Sequence, residues 1–524
     1  MKQFKFELDC NGKTENVKKH WQFCVGSGHA ALAQRADYVQ QLKVVHDELG
    51  IERVRFHGIF DDDMNVCVRL EDHLPLRITG SRKIFNFYQV GRVYDNLLSA
   101  GMKPFVEISF MPSALASGRK TVFHYKGNVT LPKKTEQWQQ FIREFAEFLI
   151  DRYGIDEVST WYFEVWNEPD LSCFFKGSMH DYFRFYADTV AALKGVSEKL
   201  IVGGPATTAG KHINEFLDFC NRENVPVDFI STHQYPTDAL GHTINSERLR
   251  AIKKLRTGIY SNTLRSMLQP IFDNVNDFSK SLKGYMKREA ERVRKEAGEL
   301  PVYYTEWSIS SNCVAEIHDK PKASSFLVKT VLDNQGIVDG SSYWTFSDIF
   351  EELFFFADPF CGGFGLMTID AIKKPTFYAM KMLASLPDKR YTLPITDDDV
   401  EMAAFCDNEG SVYIMLYAQN FTEDSGEYST FISLKNAPDF SDVSIERVGK
   451  GSGDPYSIWE EMGKPAVLTA EETERIKQNS QPFKDSLDAE KINAEKSIEV
   501  KLSDNDVIML VSVSYTHLTL PTKA

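Results

Sequence analysis

The sequence predicts a (β/α)8 TIM barrel, an α/β fold, with an accessory antiparallel β-sandwich domain. Three observations carry that prediction. Eight short apolar, β-rich runs alternate with helical segments up to about residue 385, and alternation of this kind builds a parallel sheet. After about Leu386 the runs become short and are separated by Asp, Asn, Gly and Ser, the pattern of a β-sandwich. One of the eight early runs ends on a glutamate and another reaches one two residues past its end, and strand C-termini are where barrel enzymes hold their chemistry. An open doubly wound sheet shares the first signature; eight repeats suggest closure.

The elements follow in chain order. Gln3–Leu8 alternates like a strand and is assigned to the sandwich. The eight runs are Trp21–Gly26, Arg53–His57, Phe105–Ser109, Trp161–Trp166, Leu200–Gly204, Asp228–His233, Val302–Glu306 and Ser342–Phe346. Between the third and fourth, Trp138, Phe141, Phe145 and Leu149 form one apolar helical stripe. Lys287–Gly298 is a charged helix closed by glycine. Val400–Phe405, Ser411–Tyr417, Ser429–Leu434 and Asp506–Val513 are the sandwich strands, with the polar Lys464–Lys496 a long excursion between strands. The expected organisation is therefore 1–15 as a sandwich strand, 16–385 as the barrel and 386–513 as the sandwich. Residues 514–524 match nothing in that pattern and are set aside as a non-native tail.

Composition narrows the function classes. A net charge of −14 argues against a nucleic-acid partner, which calls for concentrated Lys and Arg, and against an anionic membrane surface. No run approaches 18 apolar residues, so no membrane span is expected. The start lacks the apolar core of a secretion signal, which makes a cytoplasmic protein the expectation. The eight cysteines contain no CxxC pair and are read as inert thiols.

The chemistry resides in two strand ends. Phe163-Glu164-Val165-Trp166-Asn167-Glu168-Pro169 runs a strand into a proline, which cannot continue a ladder, so Glu168 tops the fourth strand. Tyr303-Tyr304-Thr305-Glu306-Trp307 ends the seventh on Glu306. Eight strands about 4.8 Å apart and tilted about 36° close at a radius of roughly 7.5 Å. Strands four and seven then stand about 14 Å apart, and two glutamates reaching about 4 Å inward leave about 6 Å between carboxyls. That is nearer the roughly 5–5.5 Å of retaining glycosidases than most of the inverting range. Such chemistry needs one carboxyl protonated, to give its proton to the leaving oxygen, and one ionised, to attack the anomeric carbon.

Trp166-Asn167-Glu168-Pro169 resembles the acid/base signature of the large clan of retaining (β/α)8 glycosidases. Val54-Arg55-Phe56-His57-Gly58 with Asp61-Asp62-Asp63-Met64, Phe229 to Pro236, and Tyr343 to Glu352 narrow the resemblance to glycoside hydrolase family 39, the β-xylosidase family. It covers most of residues 20–385, followed by a sandwich as in that family; Gln234 stands where the family often has His. The resemblance implies Glu168 as general acid/base and Glu306 as nucleophile, with Asn167 donating to the sugar 2-hydroxyl. It further implies that Arg55 keeps a carboxylate ionised, that His57 reaches the glycone, and that Glu351 and Glu352 bind glycone hydroxyls. It also implies a homo-oligomer, a tetramer.

The remaining candidates come from position. His233 and Tyr235 share one face of the sixth strand, where the tyrosine can hold the nucleophile and the histidine can meet sugar or carboxylate; a histidine satisfied in the core is the rival reading. Trp344 offers a platform under the sugar, or simply core. Glu164 points into the barrel and needs a buried partner; Arg55 is the candidate, and Glu164 is assigned to structure. Asp61, Asp62 and Asp63, as consecutive acids on an extended loop, should diverge with no ligand set beside them, so no metal is expected, and no cofactor.

These readings converge on a retaining exo-glycosidase for β-D-xylosidic bonds of short xylo-oligosaccharides, with a small carbohydrate as its partner. An α-L-iduronidase-like or other glycone specificity is the alternative on the same scaffold. A non-catalytic carbohydrate-binding protein is the alternative class, and it would keep the aromatics while losing a carboxylate.

Overall fold

A computed structural model describes residues 2–69, 83–237, 283–352, 358–394, 398–420 and 426–514. The tail at 515–524 lies outside the described residues. Eight parallel strands close into a barrel: β1 (Cys24–His29), β2 (Arg53–His57), β3 (Lys103–Ile108), β4 (Tyr162–Val165), β5 (Ile201–Thr208), β6 (Phe229–Gln234), β7 (Val302–Trp307) and β8 (Gly340–Tyr343). Every run read from the sequence overlaps one of them. The largest displacement is at β1, where His20–Gln22 forms a 3-10 turn and the strand continues as Val25-Gly26-Ser27-Gly28-His29. The apolar signal is weak there because the barrel interior is already occupied. A Cβ on Gly26 would stand 2.3 Å from the Trp344 indole, and one on Gly28 2.9 Å from the Phe350 ring.

Helices cover the barrel as the periodicity predicts. In Thr135–Tyr153 the side chains of Trp138, Phe141, Phe145 and Leu149 are all buried. The charged helix Tyr285–Ala297 ends at Gly298 with φ +60°, a backbone region that glycine enters without steric cost. At the N-terminal end of the barrel, Phe105, Phe229 and Tyr303 pack with Phe23 and Tyr162, and Arg53 lies over Phe23 at 4.6 Å. That aromatic plug closes the bottom of the barrel.

The accessory part has two sheets. Lys2–Asp9, Glu427–Lys435 and Ser497–Ser503 form one. The other runs Thr14–Asn16, Lys389–Tyr391, Val400–Cys406, Val412–Ala418, Val507–Ser514, Phe440–Val448 and Phe483–Leu487. Residues such as Leu8, Val400, Ile414, Ile432, Val500 and Leu510 fill the space between them. One pairing departs from the antiparallel expectation: Lys2–Asp9 runs parallel to Glu427–Lys435. The supposed excursion Lys464–Lys496 carries the helices Ala470–Asn479 and Ala489–Glu495 and the strand Phe483–Leu487. That strand lies at the sheet edge, with four of its five residues exposed, so no apolar alternation marks it.

All eight cysteines are free. Among the described residues no helix is long and apolar enough to cross a membrane. The barrel and sandwich meet at a buried ion pair, where Lys329 reaches Glu401 at 2.8 Å and Asp333 at 2.9 Å.

Candidate active site

β4 does not end softly. Trp166 takes φ +75° and Glu168 φ +45°, conformations that cost side-chain-bearing residues about 1–3 kcal/mol each unless the surroundings enforce them. Here the Trp166 indole donates to Phe174 O at 2.9 Å, and the Glu168 amide donates to Ala206 O at 2.9 Å. The turn carries Glu168 over the barrel mouth. At β7 the register pairs Glu306 with His233 of β6, at a shift in the ladder. An oxygen of Glu168, an oxygen of Glu306 and a ring nitrogen of His233 all lie within 4.8 Å of one another. The two glutamates do meet.

Arg55 organises the floor of this site and is fully buried. Its Nε donates to Glu164 at 2.6 Å, Nη1 to Glu306 Oε1 at 2.7 Å, and Nη2 to Asn167 Oδ1 at 2.9 Å. Nη2 also pairs with Glu107 at 2.7 Å. The partner expected for Glu164 is thus the one observed, and Thr305 Oγ1 satisfies its second oxygen at 2.7 Å. Because arginine only donates, the Asn167 amide oxygen must face Arg55, which turns its NH2 away. The same logic fixes His233. Nη2 lies 3.3 Å from His233 Nε2, so that nitrogen accepts, and Nδ1–H donates to Glu168 Oε1 at 2.8 Å. Tyr235 donates to Glu306 Oε2 at 2.9 Å, while the intervening Gln234 side chain turns away to Tyr285.

His57 sits one layer over. Its Nδ1 is 2.7 Å from Glu107, and its Nε2 is 3.4 Å from Glu352 and 3.6 Å from Glu306. Trp344 lies beside it, with ring centroids 4.9 Å apart, and packs with Tyr235, Phe350 and Phe364. Glu351 turns away from His57 and pairs with the buried His29 Nδ1 at 3.1 Å. Nine of the ten candidate residues therefore join one network of side-chain contacts, and Glu351 stands at its edge. Sequence reasoning did not single out Glu107, which anchors both Arg55 and His57, nor Phe123, stacked near His57 at 5.9 Å. A lone acid inside the apolar run of β3 was the signal available for Glu107.

The three acids at 61–63 correct an expectation. They do not lie on an extended loop: Asp62–Met64 is a 3-10 turn, and the curl brings Asp61 and Asp63 to the same His29 Nε2, at 3.4 and 3.5 Å.

Burial and neighbouring charge set the protonation states. Desolvation, reinforced by Asp170, pushes Glu168 up to about 8 against the pull of His57 and Arg55. Burial also raises Glu306, against the pull of the Arg55 charge. Burial lowers His233, in keeping with the neutral tautomer that its bonds require. Burial disfavours charge on His57 too, yet Glu107 above all lifts it to about 10. His29 is similarly raised, to about 11, because Asp61, Asp63 and Glu351 outweigh its desolvation.

A first test concerns the floor under Trp344. Gly26→Ala is expected to displace the indole, destabilising the fold by about 1–3 kcal/mol as overpacking does and lowering kcat/KM at least tenfold. Thermal unfolding and steady-state kinetics check both; unaltered kinetics would separate Trp344 from substrate.

Residues 4–496 match Glycosyl hydrolases family 39. A β-xylosidase of Caldicellulosiruptor saccharolyticus is 41% identical over 482 residues, covering 91% of each chain. A β-xylosidase of Geobacillus stearothermophilus is 34% identical over 507 residues, covering 95% of this chain and 94% of its own. Among solved structures, a monomeric β-xylosidase from Caulobacter crescentus CB15 superposes with a TM-score of 0.78 at 28% identity, over 98% of this chain and 100% of that one. The family match takes in all eight barrel strands and every residue gathered around Arg55, and on that ground this chain belongs to glycosyl hydrolase family 39 and is a glycoside hydrolase.

Proposed function

We propose that this protein is a β-xylosidase that removes xylose from short xylo-oligosaccharides with retention of anomeric configuration. Glu306 attacks the anomeric carbon while Glu168 protonates the leaving oxygen; Glu168 then deprotonates the water that releases the sugar. The observation carrying this reading is the approach of the two carboxylates within 4.8 Å, with unlike partners. An ion pair with Arg55 and the Tyr235 hydroxyl hold Glu306, a setting for an anion. Glu168 receives Nδ1–H of His233 on Oε1, so its own proton belongs on Oε2.

The other residues take supporting roles. Asn167, its NH2 turned from Arg55, donates to the sugar 2-hydroxyl. His57 and Glu352 bind glycone hydroxyls, with Glu351 completing that set at the rim, and Trp344 is the platform beneath the ring. An iduronide reading requires a cation for the sugar carboxylate, and Arg55 is already engaged by Glu107, Glu164 and Glu306. Turnover of nitrophenyl β-D-xyloside should therefore far exceed that of the iduronide. The barrel segment 16–385 carries this chemistry, with 386–513 as its accessory unit. The tetramer implied by family resemblance is checked by sedimentation; the Caulobacter relative is monomeric.

The decisive experiment uses a mechanism-based 2-fluoroxyloside. A covalent adduct on the Glu306 peptide is expected, with the β-anomer released first in NMR of turnover. First release of the α-anomer would defeat retention.

The pH profile follows from Glu168. The acid must be protonated, so kcat/KM falls as pH rises through about 8. Asp170, the foremost charge raising Glu168, accepts from the Thr208 amide at 3.0 Å, a bond its amide analogue can keep. Asp170→Asn should move the alkaline limb to lower pH with little loss at pH 6. A fixed limb would detach it from Glu168.

A further inference from the structure

We propose that His29, Asp61 and Asp63 form a zinc-type divalent-cation site beside the glycone pocket. His29 closes β1 and is 1% exposed; Asp61 is 2% exposed. The His29 Nε2 and both oxygens of Asp61 are buried with no hydrogen-bond partner, although leaving such groups unmatched costs about 1–3 kcal/mol each. His29 Nε2 and Asp61 Oδ2 face each other, with Asp63 Oδ2 beside them.

Their spacing points to a shared ion. His29 Nε2 lies 3.4 Å from Asp61 Oδ2 and 3.5 Å from Asp63 Oδ2, beyond the usual hydrogen-bond range of about 2.7–3.2 Å. Two ligands of one tetrahedral zinc ion, each about 2.0–2.1 Å from the metal, stand about 3.3–3.4 Å from each other. The observed separations are those of the edges of such a polyhedron. Imidazole with carboxylate is also a donor set that zinc accepts.

The surroundings fit a metal ligand. A ligating histidine normally commits its other N–H to a carboxylate, which fixes tautomer and ring orientation. His29 Nδ1 does this with Glu351 Oε1 at 3.1 Å. The Tyr125 ring lies flat against the imidazole, with centroids 3.9 Å apart and planes 4° apart. Gly58, at φ +75°, makes room: a Cβ there would stand 2.3 Å from Asp61 Oδ2 and 3.1 Å from the His29 ring. The Asp63 side chain is 46% exposed, so an ion has a way in and a fourth position open to water. Through His29 the ion holds Glu351 at the pocket rim. None of this depends on the reaction proposed above.

The rival occupant is a proton, which would leave His29 as an imidazolium among three carboxylates. Chelator-treated full-length protein, titrated calorimetrically with zinc chloride, separates the two. One zinc ion per chain is expected, bound at least tenfold more weakly by Asp63→Asn and by Asp61→Asn, with circular dichroism verifying the fold. The exposed Asp63 makes its variant safe even if the Asp61 variant unfolds. No saturable binding overturns the proposal. So does binding that survives Asp63→Asn but is lost in Glu168→Gln, which would place the ion on the other cluster of convergent ligand atoms, Glu168, His233 and Glu306.

Discussion

Glu306→Ala is expected to lower kcat on nitrophenyl β-D-xyloside by about five orders of magnitude, roughly 7 kcal/mol of transition-state stabilisation at about 1.4 kcal/mol per tenfold. Without a nucleophile no glycosyl-enzyme forms, and Glu168 cannot supply that bond. Added azide should enter the space the carboxylate leaves and give the α-xylosyl azide, the inverted product of a single displacement. The fold should survive. Burial raises Glu306 above its ordinary value, so relief of that desolvation offsets part of the bonds lost. Arg55 keeps Glu107 and Glu164 as partners, and the unfolding midpoint should fall far less than on removal of Arg55. Near-wild-type turnover in this variant would falsify the assignment. Loss of turnover with loss of folding, and without azide rescue, would make Glu306 a structural residue.

Much of this site was legible before any coordinates because its residues lie at strand ends, where sequence pattern and topology coincide. Glu168 precedes a proline that must stop a strand, and Glu306 follows three β-formers; barrel closure then forces both to one mouth. Alternation put Arg55 with His57, and His233 with Tyr235, on shared strand faces, while the roles of Arg55 and His57 came from the family resemblance. What stayed hidden depended on long-range packing. Glu107 sits inside an apolar run, and only the arrival of Arg55 and His57 from the neighbouring strand explains a buried acid there. Asp61 and Asp63 converge because Gly58 lets the chain curl against His29, a relation that no local spacing encodes. The strand Phe483–Leu487 was missed for the opposite reason: an edge strand with both faces wet carries no apolar period.

Arg55→Met should be the most damaging change outside the two glutamates, because it takes one charge from three buried carboxylates at once. Glu107, Glu164 and Glu306 all pair with this guanidinium. Removing one partner from a buried ion network costs about 3–5 kcal/mol, a large part of the roughly 5–15 kcal/mol that holds a domain folded. The pH dependence identifies the cause. Burial works against the charge on Glu107, but Arg55, with His57, holds it below its ordinary value, so its contribution to stability is present above the unfolded carboxylate range and lost as pH falls. The deficit of the variant should therefore be largest near pH 7 and shrink toward pH 4, where the stranded carboxylates take up protons. Activity should shift the other way along the axis. Arg55 lowers both Glu306 and Glu168, so without it both limbs of the kcat/KM profile move to higher pH, and the maximum falls. Arg55→Lys restores the charge but not the fork that reaches Glu164, Glu306 and Asn167 together; it should recover part of the stability and leave most of the activity missing. Denaturant melts at pH 7 and pH 4.5, alongside a pH profile of turnover, read all three variables. A methionine variant with the parent's profile and a pH-independent deficit would mean that Arg55 fills space and does not hold the nucleophile as an anion.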